Sequence, residues 1–154
     1  MIKAPTSHTY FSQRLKLHYL DWGDASAETV LLIHGSQDHC HTWDWTCETL
    51  VGQYRLLVPD LRGHGDSAWA LGSSYSSLDY VYDIHQLVEQ ADLQQVHIVG
   101  HSLGGMIAID AALAHSDLTC VAFNPGIVPC RSMAHLASAN AVRSFKDLMS
   151  LKTT

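Results

Sequence analysis

The chain has 154 residues with 47% hydrophobic content, and 9 basic against 15 acidic residues give it a formal net charge of −6. A chain of this size forms one domain and buries roughly two-thirds of the surface it exposes when unfolded. It has no Lys/Arg cluster to neutralise a row of phosphates or anionic headgroups and no apolar run of bilayer-spanning length, which argues against nucleic-acid and membrane partners.

In chain order, Thr9 to Ser12 and Leu15 to Asp21 read as a hairpin at a sheet edge, the second strand alternating Leu15, Leu17 and Tyr19 with Lys16 and His18. Val30 to Ile33 and Leu56 to Val58 are short continuous apolar runs, the pattern of parallel strands covered on both faces. Between them Trp43 to Val51 is predicted as a helix, with Trp43 and Trp45 as core or pocket-wall aromatics. A second helix starts at Ser76, where Ser76-Ser77-Leu78-Asp79 matches a capping box, and its apolar stripe is Leu78, Val81, Ile84, Leu87 and Val88. A strand at Val96 to Val99, a helix from about Leu103 to Ala114 and a strand at Thr119 to Phe123 complete a strand-helix-strand series. Such a series implies right-handed crossovers and a parallel sheet with helices on both faces. A further helix is predicted from Ser132 to about Leu151, without another strand-helix unit. The N-terminal stretch Met1 to Asp21 is broken by His8, Arg14, Lys16 and His18, unlike a signal peptide, and the cysteines at 40, 47, 120 and 130 lack CxxC spacing. The expectation is a cytoplasmic location with reduced thiols and no disulfide, Cys40 and Cys47 being the pair to check.

Gly100-His101-Ser102-Leu103-Gly104 is a G-x-S-x-G match at the point where a predicted strand turns into a predicted helix. A serine hydroxyl is a poor nucleophile until it is exposed, aimed and deprotonated, and a strained turn at a strand's C-terminal end supplies exposure and aim. Folding back that tightly brings residues 100 and 104 together, so both are glycine. Gly105 lets the helix approach the sheet. The start of that helix offers free N–H groups and a positive dipole end to charge developing beside Ser102.

His34-Gly35 follows the strand ending at Ile33, so its loop is expected to open on the same rim. Acyl transfer needs at least two donors on the oxyanion: the Leu103 N–H is one, and the backbone of the Ser36 loop supplies the other. His34 itself is read as a neutral, hydrogen-bonded histidine that shapes the loop. Asp38, His39, Cys40, His41 and Asp44 lie in one loop and helix start, where side chains do not converge easily, so no metal and no cofactor are expected.

Leu31-Leu32-Ile33-His34-Gly35, Val58 to Ser67 (VPDLRGHGDS) and Gly100-His101-Ser102-Leu103-Gly104-Gly105 together resemble the α/β-hydrolase superfamily over about residues 10 to 125. The resemblance implies a mostly parallel sheet with helices on both faces. It also implies an oxyanion hole from the backbones of Ser36 and Leu103, and a structural role for the Arg62-to-Ser67 loop. Epoxide hydrolases and haloalkane dehalogenases of the superfamily carry an aspartate in the elbow. Ser102 therefore resembles the esterase, lipase and related serine branches. Superfamily members take the catalytic acid and histidine from loops after later strands, and this chain has neither strand. Asn124 stands where some members have the acid, His101 points away from the nucleophile, and His135 is the loosest candidate base. The expectation is a C-terminally truncated serine hydrolase for ester-like small molecules: residues 1–125 as the nucleophile half, 126–154 as an atypical helical tail, and the chain itself inactive. The alternative is a small-molecule-binding protein of the same fold without turnover.

Overall fold

In the computed structural model, residues 4–114 and 118–123 are described. The elements are β1 (Thr6–Ser12), β2 (Leu15–Trp22), β3 (Thr29–Ile33), α1 (Asp44–Leu50), β4 (Arg55–Pro59), α2 (Ser77–Gln90), β5 (Val96–His101), α3 (Leu103–Ala114) and β6 (Leu118–Phe123). They form one six-stranded sheet of order β1-β2-β4-β3-β5-β6. β1 and β2 pair antiparallel, β2 runs antiparallel to β4, and β3, β4, β5 and β6 are parallel. This is the α/β-hydrolase-type mixed sheet the sequence predicts.

Alternation along the central strands divides the core in two. Val30, Leu32, Leu56, Val58 and Val99 pack with Cys47 and Leu50 of α1. Leu31, Ile33, Leu57 and Ile98 point the other way, against Ile84 and Leu87 of α2 and Ile107 and Ala108 of α3. Strands apolar at every position are therefore covered on both faces. Cys40 and Cys47 lie in the first of these cores as free thiols, and burial pushes each up to about 12, Asp60 adding to the effect at Cys40 and Asp44 at Cys47.

Four details differ from expectation. A short 3₁₀ turn, Cys40–Trp43, precedes α1, so the regular helix begins at Asp44. Trp45 is 79% exposed, neither core nor wall, whereas Trp43 packs half-buried beside α1. Leu78 is also 79% exposed, and Val88 is only partly buried. The buried stripe of α2 centres on Tyr80, Ile84 and Leu87, and Leu78 lies roughly 120° around the helix from Ile84. Asp83 is buried in the same helix, which its polarity concealed. The capping box is present: Ser76 accepts from the Asp79 N–H, and the Asp79 side chain accepts from the Ser76 backbone. Asn124, Cys130, His135 and the stretch from Ser132 to about Leu151 predicted as a helix lie outside the described residues. No helix among the described residues is long and apolar enough to cross a membrane.

Candidate active site

After β3 the chain crosses to β4 on one side, and after β4 it returns past β3 to β5 on the other. Direction thus reverses at β3, and the loops leaving β3 and β5 border the crevice that such a switch point opens at the strands' C-terminal ends. One loop carries His34 to Ser36 and the other carries Ser102.

Ser102 joins β5 to α3 at φ 54°, the left-handed region that non-glycine residues avoid. β5 extends through His101, so the reversal falls on Ser102 alone. A Cβ at Gly100 would overlap the carbonyl of Gly104, as the close approach across the elbow requires. Gly104 has a second reason to be glycine that the pentapeptide does not reveal: its missing side chain would strike the carbonyls of Ile33 and His34, so the head of α3 rests on the end of β3. Gly35 completes the junction, since a Cβ there would lie 3.0 Å from His101 Nδ1 and 3.3 Å from Ser102 Cβ. Gly100 thus closes the elbow on itself, while Gly104 and Gly35 let the His34 loop pack directly against it.

Ser102 and Leu103 are half-buried and Ser36 is exposed. Ser102 O accepts from the N–H groups of Gly105 and Met106. Among the described residues, neither Leu103 N–H nor Ser36 N–H has a hydrogen-bond acceptor, and none hydrogen-bonds to Ser102 Oγ. Among the described residues, then, the N–H of Leu103, next to the serine, and that of Ser36, next to Gly35, are both without an acceptor.

His34 is fully buried and held at both ring nitrogens: Nδ1 donates to Gly35 O at 2.7 Å, and Nε2 accepts the Leu61 N–H at 3.0 Å. That pair of bonds requires the neutral ring. Burial lowers its pKa, partly offset by the bond to Gly35 and reinforced by nearby His64.

Behind β4 lies a buried polar network that the sequence did not disclose. Asp60 accepts from the N–H groups of Cys40 at 2.7 Å and Asp66 at 3.0 Å, and from His18 Nδ1 at 2.7 Å. Burial alone would raise the Asp60 carboxyl, but these bonds outweigh it and hold the group below the usual carboxylate range. His18, Cys40 and Asp60 are close enough to surround a cation. Their polar atoms already serve one another, however, and Gly65 is pressed so close to the carboxylate that even a Cβ would overlap it. His18 and Asp60 are far apart in sequence from the Asp38–Asp44 run, and only the β2–β4 pairing brings them together.

Beside it, Arg62 is 0% exposed with every guanidinium nitrogen engaged. Nε and Nη2 bind the two Asp83 oxygens at 2.7 Å, Nη1 donates to Ser74 O at 2.8 Å and faces Asp79 at 3.3 Å, and Nη2 also reaches Gln13 at 3.0 Å.

The family described as the alpha/beta hydrolase fold matches residues 41–143 of this chain. Epoxide hydrolase 2 of Caenorhabditis elegans is 27% identical over 107 residues, which are 69% of this chain and 30% of that protein. The structure of a bacterial membrane phospholipase A superposes with a TM-score of 0.77 at 27% identity, over 83% of this chain and 42% of that one. A thioesterase domain from the curacin biosynthetic pathway superposes with a TM-score of 0.71 at 29% identity, over 75% and 41% respectively. The chain spans less than half the length of each of these proteins. With the sheet order, the strained serine at the strand-helix junction and this match in agreement, the chain belongs to the alpha/beta hydrolase family.

Proposed function

We propose that the chain carries the nucleophile of a serine hydrolase that cleaves ester-like bonds in small molecules. Ser102 Oγ attacks the carbonyl carbon as its proton passes to a base. The carbonyl oxygen becomes an oxyanion held by the Leu103 and Ser36 N–H groups, and collapse of the adduct expels the alcohol and leaves an acyl-serine for water to hydrolyse. The observation that carries the reading is the strained Ser102 at the strand-helix junction, with the Gly35 backbone packed against it. The similar proteins include an epoxide hydrolase as well as a phospholipase and a thioesterase, and the serine at position 102, where epoxide hydrolases of the superfamily carry an aspartate, supports ester cleavage over epoxide opening. The base and its carboxylate are assigned to residues beyond the described ones, because no described residue bonds Ser102 Oγ. That same fact favours a second reading, a small-molecule-binding protein without turnover.

Incubation of residues 1–154 with a fluorophosphonate, followed by intact-mass and peptide mass spectrometry, separates the two. A single phosphonyl adduct is expected on Ser102 and absent from Ser102→Ala. It should form slowly where no histidine reaches Ser102 Oγ, because oxyanion donors without a base retain only about 10³ to 10⁴ over water. An unlabelled Ser102, or equal labelling of the alanine variant, refutes the nucleophile and leaves the binding protein. Brisk Ser102-dependent hydrolysis of p-nitrophenyl acetate by this chain would instead put a working base within residues 1–154.

A further inference from the structure

His64 makes the same pair of bonds as His34, in the opposite direction between the loops after β3 and β4. Its Nδ1 donates to Arg62 O at 2.9 Å and its Nε2 accepts the Gln37 N–H at 3.2 Å. His34 belongs to the loop after β3 and accepts from Leu61 in the loop after β4, whereas His64 belongs to the loop after β4 and accepts from Gln37 in the loop after β3. The rings lie 5.2 Å apart between centroids. Two histidines therefore tie the loops reciprocally.

The tie has a direction because a trans peptide is planar and sets its N–H opposite its C=O. No cis peptide bond occurs among the described residues. The peptide joining Gly35 to Ser36 is held through its carbonyl, which accepts from His34, so its N–H, that of Ser36, faces away from His34. The next peptide, joining Ser36 to Gln37, is held through its N–H by His64. Both peptides flanking the Ser36 Cα are thus fixed, one by each histidine. Gln37 stands at φ 63°, a left-handed conformation a free loop relaxes from, and both Ser36 and Gln37 are exposed, with little packing to hold them.

We infer that His64 is a positioning residue of the oxyanion site: by holding the Gln37 N–H it fixes the turn from which the Ser36 N–H is aimed at the carbonyl oxygen of a substrate on Ser102. The inference rests on the proposed roles of Ser102 and Ser36. It assigns His64 no proton transfer, since both its nitrogens are engaged in holding the loops.

The test compares His64→Asn, whose side chain is too short to reach Gln37, with His64→Gln, whose Oε1 replaces the Nε2 acceptor. The readouts are the rate of Ser102 phosphonylation and hydrogen exchange at the Gln37 amide in the full 154-residue chain. His64→Asn should slow labelling by about tenfold to a hundredfold, the scale of an ångström's misplacement, and speed exchange at Gln37. His64→Gln should restore both toward the parent. Labelling at the parent rate in His64→Asn, or a His64→Gln variant as slow as His64→Asn, overturns the inference while leaving Ser102 as nucleophile. A parent chain that takes no label on Ser102 overturns the nucleophile reading instead. Should His64→Asn not fold, ¹⁵N shifts of the parent imidazole decide: the Nδ1–H tautomer supports the tie, and the Nε2–H tautomer overturns it.

Discussion

The loops leaving β4 and β5 end on one rim, yet they treat their polar groups in opposite ways. In the β4 loop Arg62 is fully buried with all its nitrogens engaged, and Asp60 collects bonds from two backbone N–H groups and a histidine. In the β5 loop Ser102 is strained, and among the described residues neither its hydroxyl nor the Leu103 N–H has a hydrogen-bond partner. Buried polar groups left without partners are expensive, so a fold satisfies them wherever nothing else is required. The contrast separates scaffold from chemistry. The β4 loop is rich in charge and histidine but is built to be rigid, and the β5 loop looks plainer but keeps its donors free.

The scaffold side of the comparison gives the largest expected effect. Arg62→Met should destabilise the chain by about 3–5 kcal/mol, because it leaves the Asp83 carboxylate buried without its partner. Arg62→Met with Asp83→Leu should recover most of that loss, since an apolar pair of similar volume replaces a buried ion pair at little net change. Urea denaturation of the two variants decides it: equal destabilisation would mean that Arg62 matters through Ser74 and Gln13 rather than through Asp83.

How much of this was legible in the sequence follows from the range of the interactions. The strands, α2 and its cap depend on neighbours a few residues apart, and they read out within one or two residues of their observed ends, except that β1 begins three residues earlier than expected, at Thr6. The glycines at 100 and 104 were legible from the elbow pattern, since the need for them is local. The contact of Gly104 with the end of β3 was not, because no spacing within the elbow encodes which strand lies beneath it. The His18–Asp60 and Arg62–Asp83 pairs failed to show for the same reason, as each joins residues that only sheet pairing or helix docking brings together. Asp83 even argued against itself, since a carboxylate on a helix reads as a solvated face. Leu78 and Trp45 show the converse error: an apolar side chain counted inward by type, then left outside by its angle around the helix.

Two serines sharpen the comparison at smaller magnitude. Ser67 Oγ donates to Asp60 O at 2.6 Å and accepts the His18 N–H at 2.9 Å. Ser67→Ala orphans both buried groups and should cost about 1–3 kcal/mol of stability. Ser102→Gly should do the reverse and stabilise by about 1 kcal/mol, because glycine adopts the left-handed conformation without strain. Ser102→Ala keeps the strain and should show no such gain. Thermal or urea unfolding of the three variants tests the pair, and a Ser102→Gly variant no more stable than Ser102→Ala would remove the strain argument.

The smallest effect is a pH slope, and it follows from His34. Burial holds its pKa below the ordinary histidine value in the folded chain, while in the unfolded chain it titrates near about 6.5. Below that pH the unfolded state binds the proton first, so the stability that neutral His34 contributes is complete above about 6.5 and is lost as pH falls toward the folded value. One proton sets the ceiling on the slope, about 1.4 kcal/mol per pH unit. Asp60, also depressed, acts in the same direction but lower, from about 3.9 downward, so the two windows separate. The measurement is the urea midpoint of the parent and of His34→Gln between about pH 7.5 and about 5.5, a range in which histidines titrate and carboxylates do not. Glutamine has no proton to gain, and its Oε1 is an acceptor for the Leu61 N–H, so the parent should lose more stability across this range than the variant. Parallel curves would mean that His34 is as readily protonated folded as unfolded, and the neutral ring holding Gly35 and Leu61 would then be the wrong account of this loop.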